Sequence, residues 1–320
     1  MESPIRERGT MLGADTLKYL AELAHKRNAI ILAHNYQRPE VQDVGDFVGD
    51  SLDLSRRAAQ TQADVIVFCG VHFMAETAAI ICPTKTVLMP DVNAGCPMAN
   101  MLTVRELRDM KKAHPGAVVV AYVNSSAAVK AESDICCTSA NAVRIVDSIP
   151  RDKEIIFVPD RWLGDFVSKQ LKRPMILANG YCPTHQRILP EFIERARKEH
   201  PGAKVIVHPE CTSEVIAIAD AVGSTSQILK YCRESAAEEF IIGTETGILH
   251  RLNKESPGKK FYPASSLSDC PNMKLTTVEK IIWSLEDMET RITVQPEIAD
   301  KARRAIELML VVSSQTTAKK

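Results

Sequence analysis

Short apolar runs alternate with stretches of helical periodicity along most of the chain. The runs form three groups of three, and corresponding runs in successive groups stand about 87 residues apart. Such alternation is typical of parallel β-sheets covered by helices. The first strands are predicted at 27–34, 118–123 and 205–208, the second at 64–68, 154–158 and 239–243, and the third at 85–89, 173–177 and 259–262.

This repetition predicts an α/β fold of three homologous doubly wound domains, with parallel sheets around a pseudo-three-fold axis. Two near-copies of one segment support it, because His114-Pro-Gly-Ala and His200-Pro-Gly-Ala stand 86 residues apart and each leads into a first strand. Right-handed crossovers make each unit a small layered domain. The predicted organisation is an N-terminal helix packing on the core at 1–27, α/β repeats at 28–113, 114–199 and 200–290, and a C-terminal helix and tail at 291–320.

Polar side chains follow the first strand of every repeat in one shared frame. Positions 34, 122 and 208 are spaced 88 and 86 residues apart. Ligands bind beyond the carboxyl ends of parallel strands, so three such edges turned inward would bring these residues to one cavity. Imidazole, phenol and carboxylate groups suit proton transfer, with Glu210 favoured as the general base. The candidates are His34, Tyr36, Tyr122, Asn124, His208 and Glu210.

Nine cysteines are the unusual feature of the composition. Cys96, Cys182 and Cys270 follow the third strands and are spaced 86 and 88 residues apart. Three converging thiolates suit either zinc or an iron–sulfur cluster, although the chain lacks the Cys-x-x-Cys pairs of structural zinc sites. On a four-iron cluster, three thiolates leave one iron open to act as a Lewis acid. Packing is the interpretation for the other six, which are Cys69, Cys82, Cys136, Cys137, Cys211 and Cys232.

Three hydroxyl residues share the same period and stand where helix N-caps are expected. Ser51, Ser139 and Thr225 each precede a helical pattern, and none has Glu or Gln three residues later to form a capping box. A helix N-terminus favours anions. Repetition in phase with the cysteines therefore indicates a site for a ligand that carries carboxylate or phosphate groups.

The balance of charges and the first residues of the chain disfavour some classes of partner. Lys and Arg number 40, as do Asp and Glu, and aromatic residues make up 5% of the chain. A nucleic-acid-binding protein usually carries a basic excess and, for single strands, aromatic surface, so this class is disfavoured. The first residues lack the apolar core of a signal peptide, and no apolar run approaches about 18 residues. We expect a cytoplasmic protein with reduced thiols, no membrane association and no nucleic-acid partner.

Nine short segments between Ile31 and Met273 carry a family resemblance. They are His34-Asn-Tyr36, Gly45-Asp-Phe-Val-Gly-Asp50-Ser51, Val71-His-Phe-Met-Ala-Glu-Thr77, Asp91-Val-Asn-Ala-Gly-Cys96-Pro-Met, Tyr122-Val-Asn124-Ser-Ser, Gly180-Tyr-Cys182-Pro-Thr-His185, His208-Pro-Glu210-Cys, Gly223-Ser-Thr225 and Cys270-Pro-Asn-Met273. As a set, in this order, they resemble the A-type quinolinate synthases of NAD biosynthesis. That family's fold, three homologous α/β domains about a pseudo-three-fold axis, agrees with the repeat.

The resemblance implies an enzyme that condenses iminosuccinate (iminoaspartate) with dihydroxyacetone phosphate. The products are quinolinate, phosphate and water, and an aspartate-oxidising enzyme supplies the iminosuccinate. A [4Fe-4S] cluster is implied, held by Cys96, Cys182 and Cys270, whose open iron binds substrate and assists dehydration. Some relatives carry Cys-x-x-Cys-x-x-Cys in the third ligand loop, whereas this chain has only Ser-Ser-Leu-Ser-Asp-Cys270. A disulfide switch is therefore not expected.

The resemblance also implies roles for individual residues. Tyr36 closes the site and takes part in proton transfer, and His208 and Glu210 are the other catalytic groups. Substrate-binding positions are His34, Ser51, Tyr122, Val123, Asn124, Ser139, His208, Pro209, Glu210 and Thr225.

Two other functions stay open on the residues alone. One is a zinc enzyme, such as a hydrolase, that uses the same thiolates with Glu210. The other is a carboxylate sensor without catalysis, which the acid–base groups at all three strand ends disfavour. Metal analysis separates the first from an iron–sulfur enzyme, and a test for product separates the second.

Overall fold

The computed structural model describes residues 13–314, which form three four-stranded sheets in which every strand pairing is parallel. Helices alternate with the strands, so the predicted fold class is confirmed. The strands are β1 (Ala29–His34), β2 (Phe47–Gly49), β3 (Val65–Cys69), β4 (Thr86–Leu88), β5 (Val118–Tyr122), β6 (Ile135–Cys137), β7 (Ile155–Val158), β8 (Ile176–Leu177), β9 (Lys204–Val207), β10 (Ala221–Val222), β11 (Glu239–Gly243) and β12 (Lys260–Pro263).

Fifteen α-helices and two 3-10 turns, Met98–Asn100 and Pro271–Lys274, complete the described part of the chain. The helices are α1 (Ala14–Lys26), α2 (Pro39–Asp43), α3 (Ser51–Gln60), α4 (His72–Ile81), α5 (Val104–Ala113), α6 (Ala127–Ala131), α7 (Ala142–Asp147), α8 (Arg161–Leu171), α9 (Pro183–Gln186), α10 (Pro190–Glu199), α11 (Ser213–Ile218), α12 (Thr225–Glu234), α13 (Ile248–Glu255), α14 (Val278–Asp287) and α15 (Pro296–Ser314).

All three sheets have the same strand order. It is β2-β1-β3-β4 in the first sheet, β6-β5-β7-β8 in the second and β10-β9-β11-β12 in the third. The order reverses between the first and third strands of each sheet, and such a reversal opens a crevice at their carboxyl ends. The fold therefore prepares three equivalent crevices, one per sheet.

The short edge strands β2, β6 and β10 were not among the predicted strands. They contain two or three residues each, too few for a period-2 pattern to emerge from the sequence. Cys136 and Cys137, which were interpreted as packing residues, are buried in β6. The predicted C-terminal tail is helical as far as Ser314, and the rest of that prediction, at 315–320, lies outside the described residues, as do residues 1–12 of the predicted N-terminal segment.

The last helix of each repeat packs on the repeat that follows. From α5, Arg108 contacts Glu132 at the end of α6 with 2.6 Å between Nη2 and Oε1. Ile193 of α10 packs against β9 and β11, and Ile281 of α14 packs against β1 and β3. These contacts join the three sheets into a closed ring, because α14, the last helix of the third repeat, packs on the first sheet.

No described helix or strand crosses the domain boundaries predicted at 28, 114, 200 and 291, which remain predictions. Within residues 13–314, every helix is too short or too polar to span a bilayer.

Candidate functional site

One cavity of about 890 Å³, counting the space at its mouth, receives side chains from all three repeats. It lies beyond the carboxyl ends of the first strands, where β1, β5 and β9 lead into loops. Two of the predicted site residues, Val123 and Pro209, are buried and do not line the cavity. The predicted residues that do line it are His34, Tyr36, Ser51, Cys96, Tyr122, Asn124, Ser139, Cys182, His208, Glu210, Thr225 and Cys270.

The three in-phase cysteines share one local structure. Cys96, Cys182 and Cys270 are each followed by proline and each precede a short helical turn. All three are half-buried on the cavity wall, whereas the other six cysteines are buried. Burial raises the pKa of Cys96 to about 12, and the backbone N–H groups of Ala99 and Met98 oppose that rise. Donors at the start of a turn thus already face the sulfur and favour its thiolate form.

His34 and His208 occupy equivalent positions and have the same ring orientation. The Nδ1 atom of His34 accepts a hydrogen bond of 3.1 Å from the backbone N–H of Tyr36, and that of His208 accepts one of 3.3 Å from Glu210. An accepting Nδ1 leaves the proton of a neutral imidazole on Nε2. Burial lowers the pKa of both residues to about 3, so both are neutral near pH 7. They are therefore hydrogen-bond donors, and His208 Nε2 lies 3.2 Å from Ser139 Oγ.

Glu210 is the centre of a buried polar network. Its Oε1 accepts a 2.5 Å hydrogen bond from the Tyr122 hydroxyl, and its Oε2 lies 2.7 Å from Nδ1 of His185. The other ring nitrogen of His185 is 2.8 Å from Thr244 Oγ1, which is 2.5 Å from the Tyr36 hydroxyl. Hydroxyl, imidazole and carboxylate are thus in contact in series, an arrangement that moves protons in many enzymes.

Electrostatics keep the carboxylate charged and the two phenols protonated. Burial alone would raise the pKa of Glu210, but the contact with His185 and the hydrogen bond from the Tyr122 hydroxyl lower it below its usual value. Burial and the charge of Glu210 hold the pKa values of Tyr122 and Tyr36 well above their usual value. Near neutral pH the site therefore contains one ionised carboxylate beside two protonated phenols.

The prediction that Ser51 and Thr225 are N-caps is wrong by one residue. Ser51 is the first residue of α3, and the preceding Asp50 is the cap. Thr225 is the first residue of α12, whose cap Ser224 forms a capping box with Gln227. The pattern misled because several residues that can cap stand side by side before these helices.

Ser139 lies further from its helix, since α7 begins at Ala142 after the cap position Asn141. Ser51, Ser139 and Thr225 thus do not cap these helices, and their side chains line the cavity. The side-chain oxygen Oδ1 of Asn124, also on the wall, is buried without a hydrogen-bond partner among the described residues. These groups are available to a polar ligand.

Sequence reasoning assigned no role to His185, Thr244, Glu245 or Asp50. His185 follows Cys182 by three residues, which places both on the same short turn. Thr244 and Glu245 follow β11, the third strand of its sheet, where the strand order reverses. Inspection of the residues that follow the strand predicted at 239–243, the second predicted strand of its repeat, would have identified Thr244 and Glu245.

The side chains of the cavity that could bind a metal differ in how close their donor atoms lie to one another. Among the described residues, one group of three candidate ligands has all its donor atoms within 4.8 Å of one another, and it consists of Cys182, His185 and Glu210. The sulfur atoms of Cys96, Cys182 and Cys270 are not all within 4.8 Å of one another. Three thiols that line one cavity with this spacing fit a multi-iron cluster.

Comparison with known proteins assigns the chain to a family. The family model described as "Quinolinate synthetase A protein" matches residues 18–311. A quinolinate synthase of Geobacter metallireducens is 55% identical over 300 residues, which is 93% of this chain and 98% of the relative. One from Dehalococcoides mccartyi is 56% identical over 293 residues, covering 92% and 97%, and one from Methanosarcina barkeri is 52% identical over 302 residues, covering 94% and 99%. The resemblance in the motifs is confirmed: the chain belongs to the quinolinate synthetase A family of enzymes.

Proposed function

We propose that this enzyme condenses iminosuccinate with dihydroxyacetone phosphate to give quinolinate, phosphate and water in NAD biosynthesis. The observation that carries the proposal is the meeting of three thiols and a carboxylate–imidazole–hydroxyl network in one cavity, in a chain of this family. The reaction removes phosphate and water and closes a ring, so it needs several acid–base groups. Glu210, His185, Thr244 and the phenols Tyr36 and Tyr122 supply them.

A [4Fe-4S] cluster is the proposed cofactor, with Cys96, Cys182 and Cys270 as ligands. The half-burial of these thiols, their wide spacing and the N–H donors beside them fit such a group. When bound, the cluster supplies an iron without a protein ligand, which acts as a Lewis acid toward substrate oxygen or nitrogen. The protein itself holds the three thiols so that they face one space.

The remaining groups bind and orient the substrates. His34 and His208 donate Nε2–H hydrogen bonds to carboxylate or phosphate oxygens, which suits neutral imidazoles. Hydroxyls of Ser51, Ser139 and Thr225 bind the same anionic groups near the starts of α3, α7 and α12. Asn124 adds its free carbonyl oxygen, which accepts from the substrate nitrogen. Backbone groups of Val123 and Pro209 remain proposed substrate contacts.

The acid–base roles follow from the charges. Glu210 accepts a proton from substrate carbon or nitrogen, since its carboxylate is ionised. Tyr122, which donates to Glu210, returns a proton to a departing oxygen. Tyr36 does the same at the opposite end of the network and closes the cavity over the substrates.

Product formation tests the function directly. Protein purified without oxygen is given both substrates, and quinolinate is measured by mass spectrometry. The proposal predicts quinolinate only when both are present. Binding of both substrates with no product would instead identify the protein as a carboxylate sensor.

Cysteine variants test the cofactor. Replacing Cys96, Cys182 or Cys270 by serine is expected to remove bound iron and sulfide, because the cluster loses a ligand. The control is Cys232→Ser, whose thiol is buried within α12. Equal loss of iron in the control would contradict the ligand assignment.

One observation favours a second candidate, a single zinc held by Cys182, His185 and Glu210. Their donor atoms are close enough, and zinc accepts this mixture of ligands. A hydrolytic function would follow, since a zinc-bound water is a nucleophile near neutral pH. Metal analysis with zinc present and iron and sulfide absent would favour it over the cluster.

A cytoplasmic setting is part of the proposal, because nine cysteines without a disulfide among those described suit a reducing compartment. The proposed small-molecule partners are iminosuccinate and dihydroxyacetone phosphate, with an aspartate-oxidising enzyme as the source of the former. Nucleic acid and membrane are not proposed as partners.

A further inference from the structure

Tyr36 is held at both ends by residues of the third repeat. Its hydroxyl contacts Thr244 Oγ1 at 2.5 Å. Its backbone carbonyl accepts a 2.5 Å hydrogen bond from the Lys274 ammonium group, which comes from the turn that follows Cys270. A segment of the first repeat is thus fixed by side chains from two loops of the third.

Glu245 connects those two loops. Its Oε1 accepts a 3.0 Å hydrogen bond from the backbone N–H of Cys270 and lies 2.9 Å from Lys274 Nζ. Its Oε2 accepts a 2.7 Å hydrogen bond from the N–H of Gly247. One carboxylate therefore holds the start of the Cys270 turn and, through Lys274, its end.

The pair is mostly buried. Glu245 is fully buried, and the Lys274 side chain is 21% exposed. Removing one partner of a buried ion pair leaves an uncompensated charge. Arg38, two residues after Tyr36, adds a 2.7 Å hydrogen bond from Nε to the carbonyl of Lys274.

We propose that the Glu245–Lys274 ion pair is a positioning clasp that sets the Cys270 thiol and the Tyr36 segment together, so that the proposed cofactor ligand and the proposed proton donor keep one fixed relation. The roles of Cys270 as a cofactor ligand and of Tyr36 as a proton donor rest on the proposed function. The clasp itself concerns this chain's own residues. Neither Glu245 nor Lys274 needs to touch substrate.

Thiol reactivity in metal-free protein tests the first half of the clasp. With Lys274→Met, the Cys270 turn loses its anchor, so the rate at which iodoacetamide alkylates Cys270 is expected to rise relative to that of Cys96. Cys96 is the internal reference, and peptide mass spectrometry measures both. Lys254→Met is the matched control, because Lys254 pairs with Asp43 at 2.8 Å on the surface.

A double variant that lacks both charges distinguishes the clasp from an effect of one unpaired buried charge. In Glu245→Gln/Lys274→Met neither charge remains, so an effect caused only by an unpaired buried carboxylate would vanish. The clasp predicts that Cys270 stays as reactive as in Lys274→Met. The conservative Lys274→Arg is expected to restore the slow rate. Wild-type reactivity in the neutral double variant would overturn the proposal.

A double-mutant cycle tests the second half. If Lys274 acts through Tyr36, then Lys274→Met lowers kcat for quinolinate formation less in a Tyr36→Phe background than in the wild type. Fully additive losses in kcat would contradict the coupling. Alkylation needs neither cofactor nor turnover, so loss of the clasp and failure of the proposed function give different results.

Discussion

At the scale of single residues, the proposed chemistry of the cavity depends most on Glu210. It is almost fully buried, yet its contacts with Tyr122 and His185 keep it ionised. A buried carboxylate with hydrogen-bonded neighbours is typical of a functional site, because the same burial without partners would be costly. Its period-mates Tyr36 and Asn124 also line the cavity, so one frame of the repeat supplies a carboxylate, a phenol and an amide.

Glu210→Gln is expected to lower kcat by about 10²–10⁴, the usual contribution of a general acid–base group. The amide keeps the shape of the carboxylate and can still accept from Tyr122, so the loss would come from proton transfer. Steady-state kinetics on protein of matched iron content measures it. Glu194→Gln, on the exposed face of α10, serves as the control. Unchanged kcat in Glu210→Gln would exclude Glu210 as the base.

The two buried histidines predict a pH dependence of stability. Their pKa values are lowered to about 3 in the folded protein, so between pH 6.5 and 3 the unfolded chain binds more protons than the folded one. The free energy of unfolding should therefore fall as the pH drops below 6.5. From pH 7.5 to 5.5 each histidine contributes about 1 kcal/mol of that fall.

Urea unfolding of metal-free protein at these two pH values checks the prediction. His208→Gln cannot take up the proton, so its loss of stability on acidification should be smaller than that of the wild type by the amount above. An equal loss in both proteins would mean that His208 is not held neutral by burial.

At the scale of elements, the sequence predicted some helices but not their first residues. The helical patterns after Ser51 and Thr225 were predicted, but α3 and α12 begin at these residues, one position after their caps. Propensity alone could not choose among neighbouring residues that all cap well, such as Ser224 and Thr225. Edge strands β2, β6 and β10 were missed for a different reason, since tertiary pairing with a central strand, and no local pattern, defines them.

A capping box whose residues do not line the cavity provides a test at this scale. The Thr103 hydroxyl oxygen accepts a 3.2 Å hydrogen bond from the N–H of Glu106, and the Glu106 carboxylate accepts one of 2.7 Å from the Thr103 N–H. Thr103→Ala should lower the free energy of unfolding by about 1 kcal/mol and leave kcat unchanged. Urea titration and a turnover assay measure the two quantities. A large loss of activity would mean that α5 positions the site.

At the scale of the whole molecule, three repeats form a ring in which the last helix of each repeat packs on the next repeat. The period in the sequence was enough to predict three α/β domains and a shared centre, because equal spacing placed equivalent residues at equivalent strand ends. It could not indicate that α14 would pack on the first sheet, since that contact depends on how the chain closes.

The candidate site was predicted in the same uneven way. Residues that repeat in phase could be predicted, whereas His185, Thr244 and Glu245 could not, because they do not share the spacing of the residues that follow the first strands and of the three cysteines. They came together only through the packing of the third repeat against the first two. Contacts between distant segments, such as Tyr36 with Thr244, leave no local pattern in the sequence.

The central claim is that Cys96, Cys182 and Cys270 hold an iron–sulfur cluster in a cavity with acid–base groups. Iron and acid-labile sulfide counted on freshly prepared, oxygen-free protein test it most directly. The account predicts iron and sulfide in equal amounts, about four of each per chain. Colourless protein that takes up no iron or sulfide after anaerobic reconstitution, or that holds one zinc instead, would contradict it.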